Sequence, residues 1–275
     1  PWQTNIVEAA RSIVSQKNSQ TIITPAPENM LDSTLDPEPM KPAPQSTHPL
    51  SMPELGDVVS GRYVLESKLG EGGFATVFLA RDQKIDGTLA IKILDPHKSG
   101  DPEFASRFHQ EIKLTRKLRH PNTISIWDAG TTETGCLFMA MEYVTGEHLD
   151  DIIAKEGVFS VERVARVAAQ IAKSLAEAHK IGIVHRDLKP GNIMLCQLEG
   201  ESDYVKVLDF GIAKALSSEL DSFKTQTGML LCTPSYASPE LLRGLGVQPT
   251  SDIYSLGLIM LEMATGNTAI QGRSL

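Results

Sequence analysis

The chain has 275 residues, 41% of them hydrophobic, and a formal net charge of −8, enough apolar material for at least one sizeable core. The acidic balance argues against nucleic acid as the main partner, because phosphate-binding surfaces show a basic excess. No apolar run approaches the roughly 20 residues that span a bilayer, the residues after Pro1 show no signal pattern, and Cys136, Cys196 and Cys232 lie far apart without metal-ligand spacing, which suits a reducing compartment.

Residues 1–20 carry a short helical stripe, Ile6, Val7, Ala10, Ile13 and Val14, too short to fold alone. From about Thr24 to Ser60, prolines at 25, 27, 37, 39, 42, 44, 49 and 53 alternate with acidic and small polar residues. Such a stretch buries too little apolar area to offset its chain entropy, so residues 1–60 are expected to form a disordered Pro-rich tether. A polyproline ligand site is the alternative.

The folded part is expected over residues 61–275. Tyr63–Leu69 and Thr76–Ala80 have the pattern of strands flanking a glycine turn, and Thr88–Leu94 that of a third strand. A helix is expected over Pro102–Leu118, followed by a strand over Leu137–Tyr143. Ser160 is placed as an N-cap, with Val161, Val164, Ala168, Ile171 and Leu175 at helical spacing behind it and Gly182 as the C-cap. A small sheet with one helix (about 61–143), followed by a helix-rich half (about 144–275), gives an α+β layout in two lobes.

Gly70-Glu71-Gly72-Gly73-Phe74-Ala75 fits G-x-G-x-x-[GA]. It also fits the dinucleotide fingerprint, and Asp95 lies where a ribose-binding acid would be expected. That fold needs a helix directly after the glycines, whereas Thr76-Val77-Phe78-Leu79-Ala80 is β-branched and apolar. A strand–glycine turn–strand unit instead lays backbone N–H groups over phosphates.

Lys92 sits in the apolar run Ala90-Ile91-Lys92-Ile93, where a buried ammonium needs a partner. A lysine at the sheet edge with its head in water is the plainer reading. Glu111, on the following helix amid Phe104, Phe108 and Ile112, is the candidate partner. The strongest segment is His185-Arg186-Asp187-Leu188-Lys189-Pro190-Gly191-Asn192, whose charged residues packing alone does not require. Phosphoryl transfer does need such a set: a carboxylate to accept the substrate proton, a lysine to neutralise the moving group and an amide oxygen for a metal. Asp209-Phe210-Gly211 follows the short strand Tyr204–Leu208 and supplies a second metal ligand.

With these motifs in order, residues 61–275 resemble a protein kinase catalytic domain, similar to the bacterial eukaryotic-like (Hanks-type) Ser/Thr kinases. The resemblance implies a bilobal fold and transfer of the ATP γ-phosphoryl to Ser or Thr hydroxyls of proteins, with Mg2+ or Mn2+ as the metal. It implies Asp187 as base, Lys189 as transition-state lysine, Asn192 and Asp209 as metal ligands, and Lys92 on the α/β-phosphates with Glu111 as its helix partner. Leu69, Val77, Ala90, Met141, Val144, Met194 and Leu208 would sandwich the adenine, with backbone bonds from Glu142 and Val144. The turn 70–75 and Thr76 would cover the phosphates. His185 would pack the catalytic loop and Asp252 would brace it.

The sequence departs from the pattern at three places: Ala75 at the third loop glycine, Cys232 where glycine usually precedes Thr233, and an end at Leu275 soon after the Asp252 helix. The resemblance implies further helices there, including an arginine for Glu240. The polar stretch Ser217–Gly228 has few apolar anchors and is expected to be mobile until something orders it. The placement of Thr225 and Thr227 resembles autophosphorylation sites of the bacterial family, with Arg186 and Lys214 as candidate phosphate clamps; two ordinary solvated loop threonines are the alternative. A cytoplasmic location, or the cytoplasmic face of a membrane protein, is expected, and a kinase dimer for autophosphorylation is compatible with the resemblance. A pseudokinase scaffold is the competing class, but none of the residues such proteins lose is missing.

Overall fold

The computed structural model describes residues 50–73, 75–198, 200–210 and 234–270. The expected helical stripe before residue 20, Phe74, Gly211, Lys214, Thr225, Thr227, Cys232 and Thr233 lie outside the described residues.

Six strands form an antiparallel sheet in the order β1-β2-β3-β4-β6-β5: β1 (Val58–Val59), β2 (Tyr63–Glu71), β3 (Ala75–Asp82), β4 (Gly87–Leu94), β5 (Ile126–Thr131) and β6 (Leu137–Glu142). The sheet has two apolar faces, which explains the near-continuous hydrophobic run of β4. On one face Ala90, Leu94, Met139 and Met141 pack against Phe104, Phe108 and Ile112. On the other, Tyr63, Leu65, Phe78, Ile91, Ile93 and Phe138 form a second cluster. A short helix, α1 (Pro96–Ser99), precedes α2 (Pro102–Thr115), which supplies the three packed residues of the first face. Pro102 opens α2 and the Asp101 side chain caps it by accepting from the Glu103 and Phe104 N–H groups at 2.9 and 3.3 Å. The helix ends three residues short of the expected Leu118.

The folded body begins before Gly61, which corrects the expected tether boundary. Val59 is buried, and Met52 packs on the second cluster. The Ser51 carbonyl accepts from Thr134 Oγ1 at 2.6 Å and from the Cys136 thiol at 3.2 Å. The Glu133 carboxylate accepts from the N–H groups of Ser60 and Gly61 at 3.1 and 2.9 Å. The turn between β5 and β6 thus holds both ends of this segment. Its few apolar residues lie among prolines and polar residues, so composition alone hides them.

The second half contains α3 (Leu149–Glu156), α4 (Val161–Lys180), α5 (Pro239–Leu242) and α6 (Pro249–Thr265), with a three-stranded sheet β7 (Gly146–His148), β8 (Ile193–Leu198) and β9 (Glu201–Val207) in that order. Ser160 caps α4 by accepting from the Arg163 N–H at 3.2 Å. The stripe Val164, Val167, Ala168, Ile171, Leu175 and Ala178 forms the centre of the helical core. Ile181 is the C-cap and Gly182 follows at φ +79, a conformation glycine adopts without strain. Arg163 and Arg166 of α4 converge on the Asp203 carboxylate at 2.8 and 3.0 Å, joining the helix to the β8–β9 sheet. Ile253, Tyr254, Leu261, Leu242 and Leu245 of α5, α6 and the turn between them are exposed. Among the described residues no helix is long and apolar enough to cross a membrane.

Candidate active site

β2 and β3 are joined by the glycine turn, with Glu71 opposite Thr76 and Gly70 opposite Val77. A strand, not a helix, follows the glycines, which removes the dinucleotide alternative. The Gly72 N–H donates to the Ala75 carbonyl at 2.9 Å, closing the turn. A Cβ placed on Gly70 or Gly73 would meet no atom within 4 Å, so the turn has open space beside its backbone. Lys68 pairs with Glu71 at its edge.

Lys92 lies on β4 opposite Val77 of β3 and Met139 of β6. Its Nζ is 2.6 Å from Asp209 Oδ2, and 17% of its side chain is exposed. The sheet-edge reading of this lysine is therefore excluded. Among the described residues Glu111 makes no ion pair with Lys92, and the expected Lys92–Glu111 contact is absent in this conformation. The register along β4 places Lys92, but where the carboxylate of α2 falls depends on how the helix sits against the sheet. The Asp209 carboxyl is pushed up by burial. The charge and hydrogen bond of Lys92, with smaller help from His185 and Lys189, outweigh this and hold it below the usual range.

The segment His185–Asn192 folds into a compact loop closed by a 3-10 turn over Pro190–Asn192. Lys189 Nζ lies 3.2 Å from Asp187 Oδ2. The Asn192 amide nitrogen donates to the Asp187 carbonyl at 2.7 Å, which fixes the amide so that Oδ1 is its remaining acceptor. The Leu208 N–H donates to the Asn192 carbonyl at 2.9 Å, tying this loop to the residue before Asp209. Arg186 and Asp209 have φ values of +70 and +47, strained for residues with side chains, and they flank the site.

Asp252 of α6 holds the loop from beneath. Its fully buried carboxylate accepts from the N–H groups of His185 and Arg186 at 2.8 and 3.0 Å, and His179 Nε2 lies 2.7 Å away. His185 is buried too and its Nε2 donates to the Leu208 carbonyl at 2.8 Å, while its ring lies 4.8 Å from that of Phe210. Arg186 Nε is buried without a hydrogen-bond partner among the described residues. The Glu240 carboxylate, for which the resemblance implies an arginine, accepts from the Ser251 hydroxyl at 2.6 Å.

Of the expected adenine residues, Ala90 and Met141 are paired across β4 and β6, and Val77, Val144 and Leu208 pack with them in one cluster, together with Ala75. Leu69 at the rim is exposed and Met194 lies on β8, both outside that cluster. Lys206, in β9, was not singled out in the sequence. Its Nζ lies 2.7 Å from Glu142 Oε1. A lysine inside the apolar strand Tyr204–Leu208 was the available signal.

The donors suit a divalent metal with a nucleotide. The Asp209 carboxylate and Asn192 Oδ1 are hard oxygen ligands of the kind Mg2+ takes with phosphates and water. Phosphates have open space at the glycine turn and a cation at Lys92.

The sequence matches the family model described as "Protein kinase domain" over residues 63–274. It is 41% identical over 213 residues to the serine/threonine-protein kinase pkn3 of Myxococcus xanthus, covering 77% of this chain and 39% of that protein. Against the serine/threonine-protein kinase PknB of Mycobacterium tuberculosis it is 40% identical over 219 residues, 78% of this chain and 34% of that protein. The chain therefore spans less than two-fifths of the length of these relatives. Among solved structures, the Mycobacterium tuberculosis PknI kinase domain superposes with a TM-score of 0.63 at 28% identity, covering 82% of each chain. A structure of Rad53 residues 1–466 with AMP-PNP gives 0.62 at 28% identity, over 78% of this chain and 51% of that one.

Proposed function

The chain belongs to the protein kinase family, and from that premise we propose that the protein transfers the γ-phosphoryl of ATP, with Mg2+, to Ser or Thr hydroxyls of proteins. Families of this kind use ATP and a divalent metal, and Mg2+ is the metal that the oxygen donors favour. The observation that carries the reading is the meeting of Lys92, Asp209, Asn192, Lys189 and Asp187 across the two sheets, with Lys92 2.6 Å from Asp209 and Lys189 3.2 Å from Asp187. AMP-PNP bound to the structurally similar Rad53 supports the nucleotide, and the names of the bacterial relatives support Ser and Thr as acceptors.

In this reading the substrate hydroxyl oxygen attacks the γ-phosphorus, its proton passes to the Asp187 carboxylate, and ADP leaves with the electrons of the broken P–O bond. Lys189 offsets the charge on the transferred group and Lys92 that on the remaining phosphates. Asn192 Oδ1 and Asp209 would hold the metal, which when bound neutralises phosphate charge. Asp252 and His185 keep the loop in register. Lys92 must share its ammonium between Asp209 and phosphate once nucleotide enters, so Glu111 is retained as the group that takes up Lys92 in a nucleotide-bound conformation.

Autophosphorylation, through a kinase dimer, and a place in a signalling pathway belong to the same proposal, as does a reducing, cytoplasmic setting, which the free buried thiols of Cys136 and Cys196 support. The test is incubation of the purified protein with γ-labelled ATP, Mg2+ and a basic protein acceptor, followed by phosphoamino-acid analysis. Label on Ser or Thr is the expected result; absence of transfer with intact nucleotide binding would favour the scaffold reading.

A further inference from the structure

The side chain of Lys206 reaches from β9 to the last residue of β6. Its Nζ lies 2.7 Å from Oε1 and 2.9 Å from Oε2 of Glu142. Only 14% of the lysine side chain and 25% of the glutamate side chain are exposed. Oε2 also accepts from the Ser125 N–H at 3.2 Å, and the Glu142 N–H donates back to the Ser125 carbonyl at 2.9 Å. The glutamate is thus fixed at its carboxylate and at its own backbone, where the chain leaves the larger sheet for β7 of the smaller one.

The surroundings make this more than a surface pair. Lys206 stands opposite Met194 of β8, and Met194 stands opposite His148 of β7. The segment before β5 is sewn to the same strand, with the Ile124 N–H donating to the Val207 carbonyl at 3.0 Å and the Asn122 amide to the Val205 carbonyl at 2.7 Å. Freely exposed ion pairs contribute little. A carboxylate that is three-quarters buried and loses its cation is left with an uncompensated charge, which the local chain relieves by moving.

We propose that Lys206 is a positioning residue for the nucleotide, acting through the Glu142 carboxylate to hold the backbone of residues 142–144 in the orientation that receives the adenine. This inference rests on the kinase reading of the site. It assigns to β9 a role in nucleotide affinity, although the lysine itself need not touch the base.

The test is calorimetric titration of the full chain with AMP-PNP and Mg2+, beside the steady-state KM for ATP and kcat. Lys206→Met is expected to weaken AMP-PNP binding about fivefold or more and to raise KM by a larger factor than it lowers kcat. Lys206→Arg, which keeps the charge and the reach, should stay within about twofold of the parent. Glu142→Gln should repeat the loss, and the Lys206→Met/Glu142→Gln double variant should be no weaker than either single one, because both remove the same link. Should Lys206→Met not fold, Glu142→Gln and Lys206→Arg carry the same comparison. Unchanged affinity in a folded Lys206→Met or Glu142→Gln protein, or additive losses in the double variant, would overturn the inference alone. Failure of the parent to bind AMP-PNP would overturn the kinase reading together with it.

Discussion

The ammonium of Lys92 lies 2.6 Å from the carboxylate of Asp209, so a strand of the larger sheet and the second residue past β9 are joined by one ion pair at the centre of the site. Glu111 takes no part in it. In the nucleotide-free protein, Glu111→Gln should therefore change stability by no more than about 0.5 kcal/mol. Lys92→Met should raise the Asp209 pKa, because the carboxyl then loses the charge and hydrogen bond of its main counter-ion. Carboxyl titration by NMR and urea unfolding check the two. A large stability loss in Glu111→Gln would show that the pair with Lys92 already forms without nucleotide.

Asp252 accepts the backbone N–H groups of His185 and Arg186 and lies against His179. Asp252→Ala leaves both N–H groups without an acceptor, which should destabilise the protein by about 2–4 kcal/mol. The accompanying fall in kcat should exceed any rise in KM for ATP, because the displaced segment carries Asp187 and not the adenine contacts. Denaturant unfolding with steady-state kinetics distinguishes this from a uniform loss of folded protein.

Burial pushes the Asp203 carboxyl up, but hydrogen bonds and charge from Arg163 and Arg166 outweigh this and hold it below its ordinary value. A carboxyl with a depressed folded pKa contributes stability above its unfolded pKa, near 3.9 for aspartate, and that contribution is lost as pH falls through the lower folded value. Asp203→Asn should thus flatten the acid side of the stability profile between about pH 4 and the folded pKa, and lower stability at neutral pH. Asparagine tolerates the φ of +62 at this position, so backbone strain does not confuse the comparison. Unfolding measured from pH 3 to 7 checks it; parallel profiles for parent and variant would contradict it.

The boundary at the start of the folded body gives a fourth expectation. A chain beginning at residue 46 should keep the melting temperature of the complete one. A chain beginning at residue 61 loses the buried Val59, the Met52 contact and the Ser51 carbonyl that Cys136 and Thr134 use, and should be less stable by about 2 kcal/mol or more. Thermal melts of the two truncated proteins decide it.

The part of the site that depends on local chemistry was legible in the sequence. The β-branched run after Gly73 identified a hairpin, and the spacing from Asp187 to Asn192 and on to Asp209 identified a loop and a strand end that the structure brings together. What depends on placement between distant elements was not. Glu111 lies on the helix that the sequence indicated, yet the setting of that helix leaves its carboxylate away from Lys92. The strap at residues 50–60 was hidden because its anchors are backbone groups and a few apolar side chains in a proline-rich stretch. The Lys206–Glu142 pair joins residues 64 positions apart, and Ser251 meets Glu240 across a turn that composition does not encode. Strands β1, β5, β7 and β8 carry too little periodicity of their own for the sequence to mark them.

The central claim is that Asp187 takes the substrate proton in phosphoryl transfer. Its most direct test is the turnover number of Asp187→Asn, measured with labelled ATP on protein shown to be folded and to bind AMP-PNP with Mg2+ like the parent. The account predicts a loss of at least about a hundredfold in kcat with nucleotide affinity retained; near-parental kcat in that folded, nucleotide-binding variant would contradict it.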